Sequence, residues 1–279
     1  MTDDALPLPR KPWRPFRSRA PRVAVVRLSG ILSASGNQSL NLASLAKPLN
    51  KAFRGKPDAV ALQINSPGGS PVQSNLIATR ILALSKEHQV PVYAFCEDVA
   101  ASGGYWIAAA ADEIYADAAS LVGSIGVISL SFGFNDAIAR LGIERRVTTA
   151  GKNKSRLDPF RPLAEEDKAW LERLQTALHE HFKAYVRERR GSKLGEASDR
   201  VMQGDVYLGA EGLELGLIDG IGDLRSVMRK RFGDKVRLSR VRGPKRFGFG
   251  LMNSRASLIN SAELVETLKA EMLWSRFGV

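Results

Sequence analysis

Residues 96–112 read Cys-Glu-Asp-Val-Ala-Ala-Ser-Gly-Gly-Tyr-Trp-Ile-Ala-Ala-Ala-Ala-Asp, and residues 123–127 add Gly-Ser-Ile-Gly-Val. A β-like run, Val90 to Phe95, precedes the first stretch, and an apolar, alanine-rich run from Tyr105 to Ala111 should be helical. The order strand, tight turn, helix puts Ser102 at the turn. As a helix N-cap, its hydroxyl would satisfy an orphan backbone N–H. As a nucleophile, it would sit where the positive end of a helix dipole supports developing negative charge. Gly103 and Gly104 let backbone or substrate approach without a Cβ in the way. A nucleophilic serine also requires a base and an oxyanion hole, which the rest of the chain must supply.

Working outward toward the amino end, Ala59–Ile64 reads as a strand that runs into Asn65-Ser-Pro-Gly-Gly-Ser70. A strand at Val23–Leu28 and a helical pattern through Leu40, Leu42, Leu45, Leu49 and Phe53 precede it, and a helix over 71–88 follows it. Loops at the carboxyl ends of parallel strands are where ligands bind in α/β sheets. Pro67 fixes one φ, and Gly68 and Gly69 permit a nest of outward N–H groups, a candidate oxyanion hole and equally a structural turn.

Toward the carboxyl end, Glu113–Ala116 and the run Leu121–Leu130 read as strands, 135–141 as a helix and Ile143–Thr149 as a further strand. A polar loop, residues 150–162, carries Lys152 and Lys154. The longest helix opens at Ala164-Glu-Glu-Asp, buries a stripe of Leu171, Leu174, Leu178, Phe182 and Tyr185, and should stop at Gly191. Strands alternating with helices predict an α/β layer fold with a mostly parallel sheet. Three segments result: a flexible, basic, Pro-rich leader over 1–21, a domain over 22–224, and a basic extension over 225–279 that ends in an amphipathic helix, 261–277.

The chain has 279 residues, 44% of them hydrophobic, ample for a core. A single cysteine, Cys96, excludes an intrachain disulfide and a cysteine-cluster metal site, and suits a reducing compartment. His88, His179 and His181 lack metal-ligand spacing, so neither a metal nor another cofactor is expected. Residues 1–30 carry +5 and residues 225–246 carry +9, together more than the +12 of the whole chain, so the remainder is close to neutral. Such basic ends suit an anionic membrane surface or a solvated tail, and no base-reading motif accompanies them, so no specific nucleic acid is expected. No apolar run reaches the roughly 20 residues of a membrane-spanning helix, and Met1–Arg22 lacks the apolar core of a signal peptide. A cytoplasmic location, free or peripheral on the inner membrane surface, is the expectation.

No histidine falls in a strand-end loop beside Ser102, which disfavours a Ser-His-Asp triad. A neutral lysine can serve as base instead. Lowering a lysine from about 10.4 to about 7 costs about 4.6 kcal/mol, so that base requires a desolvated cleft with a hydrogen-bond partner.

Five motifs now stand in order: Asn65-Ser-Pro-Gly-Gly69, Ala101-Ser-Gly-Gly-Tyr105, Gly123-Ser-Ile-Gly-Val127, Gly151-Lys-Asn-Lys154 with Pro159 beyond, and Gly216-Leu-Ile-Asp-Gly220. Together they resemble the signal peptide peptidase A family, the S49 serine peptidases, in its short single-repeat bacterial form, from about Arg22 to Leu224. The resemblance implies a ClpP/crotonase-like fold, Ser102 as nucleophile, Lys154 as general base, Ser124 holding the lysine amine, and the N–H groups of Gly68 and Gly103 as the oxyanion hole. Lys152 competes for the base role. It also implies homo-oligomeric rings with serine and lysine from different subunits, and apolar peptide substrates, remnant signal peptides among them. Most relatives carry an N-terminal membrane anchor, where this sequence has the basic, proline-rich Met1–Ala20. Competing readings are a crotonase-type acyl-CoA enzyme using Glu97 and Asp98, a non-catalytic membrane-surface scaffold, and a nucleic-acid binder built on the +9 segment.

Overall fold

The computed structural model describes residues 19–34, 39–241 and 271–278. The leader up to residue 18 and most of the expected C-terminal helix lie outside the described residues; 271–275 are helical. In chain order the elements begin β1 (Arg22–Ser29), α1 (Leu42–Arg54), β2 (Ala59–Ser66), α2 (Pro71–His88), β3 (Val92–Ala101) and α3 (Gly103–Ala108). There follow β4 (Glu113–Ala116), β5 (Leu121–Gly123), α4 (Asn135–Arg140) and α5 (Glu165–Leu194). The described chain continues with α6 (Ser198–Val201), β6 (Val206–Leu208), α7 (Gly209–Glu214), β7 (Gly220–Ile221), α8 (Leu224–Phe232) and β8 (Arg237–Arg240).

These strands form one sheet in the order β6-β5-β3-β2-β1-β8, parallel throughout except for the antiparallel β5–β6 pair. The α/β class with a mostly parallel sheet is as the sequence implies. β1 and β2 are short β-branched and aliphatic runs buried on both faces, the pattern of central parallel strands. β3 divides its far edge between two partners. Tyr93–Cys96 pair with β4, and Val99–Ala101 pair with β5, so the sheet forks just before Ser102. β4 in turn pairs with β7.

Alternation along the strands splits the core in two. Ala24, Val26, Leu28, Val60, Leu62, Ile64 and Val92 face α1, α2, α3 and the carboxyl half of α5. Val23, Val25, Ala59, Ala61, Tyr93 and Phe95 face the opposite way, where Met228 of α8 closes a smaller cluster. The basic segment after residue 224 thus enters the fold: α8 covers a sheet face and β8 pairs with β1 in parallel.

Several sequence expectations are corrected. β3 runs to Ala101, beyond Phe95: its ladder with β2 shifts register at Glu97 and Asp98, between Ile64↔Cys96 and Ser66↔Ala100, and the strand then continues beside β5. The strand beginning at Leu121 ends at Gly123, where φ of 100° at Gly123 and 52° at Ser124 turns the chain away. Residues 143–149 are not a strand; they are exposed and have no ladder partner. α5 passes through Gly191, where the backbone is ordinary helix, and ends at Gly195 with φ of 51°. Its stripe is buried only from Phe182 onward, and Leu174 is 48% exposed.

Candidate active site

Ser102 stands between the last residue of β3 and the first of α3 with φ 52° and ψ −118°. Such a conformation costs a non-glycine residue on the order of 1–3 kcal/mol, so the surrounding packing must impose it. Two backbone bonds do so: the Ser102 N–H donates to the Gly123 carbonyl at 2.8 Å, and the Trp106 N–H donates to the Ser102 carbonyl at 2.9 Å. The side chain makes no capping hydrogen bond, so Ser102 does not act as a conventional N-cap. Its hydroxyl has no hydrogen-bond partner among the described residues and faces a cleft.

Across from Ser102 lies the Gly68–Gly69 turn. Gly68 has φ of 101°, and a Cβ there would stand 2.8 Å from the Gly103 nitrogen and 2.8 Å from the Ser102 Cβ. A Cβ on Gly69 would fall 2.2 Å from the Leu32 carbonyl oxygen, and one on Gly103 would fall 2.3 Å from Ser74 Oγ. These glycines let the two loops touch, which brings the Gly68 backbone against Gly103 and Ser102. The Gly68 N–H donates to Ser66 Oγ at 3.2 Å, and Gly103 occupies the first helical position, where the N–H has no partner within the helix.

Ser124 follows Gly123, which pairs with Ala101 at the end of the β3–β5 ladder and whose carbonyl accepts the Ser102 N–H. It is 8% exposed, has φ of 52°, and is fixed by its N–H donating to the Asp205 carbonyl at 2.7 Å. Ser102, Ser124, Gly68 and Gly103 are therefore gathered at the forked carboxyl end of the sheet. Lys154 is not. It lies in the exposed turn 151–157, its N–H donating to the Gly151 carbonyl, and neither Lys154 nor Lys152 lines the cleft.

The cleft is lined by Gly69, Pro71, Ser74, Ser102, Gly103, Trp106, Gly126, Val127, Leu178 and Phe182, and encloses about 20 Å³. Trp106 closes its base, stacked on Phe182 at 4.5 Å and on Tyr185 at 5.3 Å. Sequence reasoning recognised Leu178 and Phe182 as a buried stripe but not as cleft walls; Trp106, four residues after Ser102 on α3, was available from helical spacing. Ser66 and Ser74, both fully buried, gave no signal beyond an ordinary turn serine and an ordinary helix serine. His179 and His181 are brought close by α5: His179 Nε2 lies 2.9 Å from the Ile125 carbonyl, and His181 packs on Trp106 at 5.5 Å, but neither lines the cleft. Glu97 and Asp98 face away, toward Arg27 at 3.2 Å and Asn65 at 2.6 Å respectively.

Two arginines of α5 hold this assembly from behind. Arg189 donates to the carbonyls of Ala109, Ala110 and Ala111 at 2.9–3.3 Å, closing the carboxyl end of α3. Arg190 is 2% exposed and donates to the Gly216 carbonyl and, at 2.6 Å, to Asp219. Cys96, buried beneath the same region, has its thiol pushed up to about 12 by burial.

The profile of peptidase family S49 matches residues 85–235, a span that includes Ser102, Ser124 and Lys154. A Brucella abortus (strain 2308) protein named Na(+)/H(+) antiporter NhaA is 46% identical over 95% of this chain, which spans 38% of that protein's length. Among the described residues here, no helix is long and apolar enough to cross a membrane. Protease 4 of Haemophilus influenzae is 32% identical over 75% of this chain and 34% of its own length. In fold, the chain matches the 1510-N membrane-bound stomatin-specific protease solved with a substrate peptide. That match has a TM-score of 0.52 and 14% identity, over 81% of this chain and 94% of the other.

Proposed function

The chain belongs to peptidase family S49, and from that membership we propose that it is a serine endopeptidase in which Ser102 attacks the scissile carbonyl of an apolar peptide while Lys154 takes the hydroxyl proton. The observation that carries this reading is the forced backbone of Ser102, which presents an unpartnered hydroxyl at the start of α3 beside two glycine turns. Ser102 combines its positive φ with ψ of −118°, outside the left-handed helical region that Gln89 occupies, and a backbone so constrained beside an unpartnered hydroxyl supports a site rather than a cap.

In this mechanism the Gly103 N–H, and the Gly68 N–H on leaving Ser66 Oγ, receive the oxyanion of the tetrahedral intermediate. The protonated lysine then gives its proton to the leaving amine. Water hydrolyses the resulting acyl-enzyme by the same route. Ser124, next to Ser102, holds the amine in line.

The base comes from a neighbouring copy. None of residues 128–163 is buried, yet Ile128, Leu130, Phe132, Phe134, Leu141, Ile143, Val147, Phe160 and Leu163 lie in that segment. An apolar arm left exposed calls for a partner surface. Docked on a second copy, it would carry Lys154 to the neighbour's Ser102 and supply the desolvation that a neutral lysine requires. The isolated chain is then inactive and the ring is the enzyme. The small cleft walled by Pro71, Trp106, Leu178 and Phe182 suits an apolar peptide with a small side chain before the cut bond, remnant signal peptides among such substrates.

The test is hydrolysis of an apolar fluorogenic peptide from pH 6 to 10 by wild type, Ser102→Ala and Lys154→Ala at matched oligomeric state. Activity that rises with pH and is lost in both variants supports the dyad. Activity that survives in Ser102→Ala overturns it, and activity that survives only in Lys154→Ala moves the base to Lys152.

A further inference from the structure

A second concavity lies at the opposite end of the sheet from Ser102, where the strands begin. It has a volume of about 600 Å³ and is lined by Arg22, Lys47, Asn50, Lys51, Arg54 and Gly55. We propose that this basic cavity is a binding site for a phosphate-bearing anion, either a soluble polyphosphate or the headgroup of an anionic lipid.

Its construction is specific. Lys47, Lys51 and Arg54 are spaced four and three residues apart on α1, which places them on one helix face, opposite the side that buries Leu45, Leu49 and Phe53. Arg22 enters from the first position of β1, on the sheet face that α1 covers, and the β1–β8 register sets Arg237 beside it on the same face. Asn50 accepts a hydrogen bond from Arg80 at 2.5 Å, which sets another guanidinium behind the lining.

The counter-charge is incomplete. Lys47, Lys51, Arg54 and Arg80 form no ion pair with a described residue, and Asp58, whose carboxylate accepts the Arg22 backbone N–H at 2.8 Å, supplies one negative charge nearby. Part of the positive charge is answered by the carboxyl end of α1, where the Arg22 guanidinium donates to the Gly55 carbonyl. A helix end amounts to about half a negative charge, and with Asp58 the total of about one and a half does not balance the four cations that line the cavity. A multiply charged anion can. Guanidinium groups offer paired N–H donors to phosphate oxygens and lysines add point charge, the combination that phosphate recognition uses. The volume falls within the roughly 300–1,000 Å³ of small-ligand sites, larger than a single orthophosphate requires.

Binding is measured on the full chain in two arms: calorimetric titration with pyrophosphate, and flotation with phosphatidylglycerol vesicles against phosphatidylcholine vesicles. The variant Lys47→Glu/Lys51→Glu is compared with Arg225→Glu/Lys230→Glu, an equal charge change on α8 across the sheet. All four side chains are exposed, so both variants should retain the fold, and unchanged melting temperatures verify it. The expected result is that wild type binds in at least one arm and that Lys47→Glu/Lys51→Glu lowers that affinity at least tenfold while the α8 variant lowers it less than threefold. Pyrophosphate binding alone identifies a soluble ligand, and vesicle binding alone identifies a headgroup. Equal loss in both variants reduces the effect to net charge and overturns the site, as does binding in neither arm. Peptide hydrolysis unchanged in Lys47→Glu/Lys51→Glu keeps this result separate from the fate of the Ser102 mechanism.

Discussion

The backbone of Ser102 carries a cost that its side chain does not repay within the single chain, and this makes a stability experiment informative apart from activity. Glycine tolerates φ of 52° without a Cβ penalty, although it adds freedom to the unfolded chain. Ser102→Gly is therefore expected to abolish hydrolysis and yet to raise stability by about 1 kcal/mol, roughly 2–4 °C in Tm. A lower Tm than wild type in a calorimetric scan would show that the conformation is not strained. Gly69 behaves in the opposite way: with φ of 134° and a Cβ position 2.2 Å from the Leu32 carbonyl oxygen, Gly69→Ala must displace one loop and lose both stability and activity. Cys96 shows a third behaviour, because a buried thiol pushed up to about 12 stays protonated and shielded. It should resist alkylation at pH 8 in the native protein and react only after unfolding, as read by mass spectrometry.

Among the elements, α5 ties the nucleophile's helix to the rest of the fold. Arg190 is buried with Asp219, whose carboxylate also accepts the Ile114 N–H at 2.8 Å, so one ion pair joins α5, β4 and the loop before β7. Removing Arg190 leaves the largely buried Asp219 carboxylate with the more exposed Lys193 as its remaining cation, and Arg190→Met is expected to cost about 3 kcal/mol in chemical denaturation. Burial alone would raise the Asp219 carboxyl, but the hydrogen bond and charge of Arg190 more than offset it and hold the group below the ordinary carboxylate range. A carboxylate held low in the folded state contributes stability above its ordinary titration and loses it as pH falls through the depressed value. Stability should thus decline below about pH 4, and Asp219→Asn should flatten that limb of the Tm profile. The elements were legible in the sequence where local pattern and tertiary environment agree: Val23–Leu28, Ala59–Ile64 and helix 71–88 all form where periodicity puts them. Ile143–Thr149 has a strand's composition but no edge to pair with, and Gly191 lies in a helix held by the packing on either side of it. Neither outcome depends on the residues of the segment alone.

For the whole molecule, the division between what was and was not legible falls in the candidate site itself. Ser102, Ser124, Gly68 and Gly103 come together because β2, β3 and β5 are adjacent and their carboxyl-end loops carry the glycines, a juxtaposition that the α/β alternation implies. Lys154 stays outside the cleft because its segment, residues 128–163, has no core of its own to join within one chain. In the proposed mechanism its place depends on assembly. A head-to-tail interface that closes into a ring would repeat the Ser102–Lys154 encounter at every junction. The most direct measurement is complementation: co-assemble Ser102→Ala with Lys154→Ala in equal amounts, each inactive alone, and assay peptide hydrolysis on the purified mixed oligomer. The expected result is recovery of about a quarter of the wild-type rate, since one junction in four joins an intact Ser102 to an intact Lys154. Mixed oligomers that form and remain inactive would contradict a site shared between subunits.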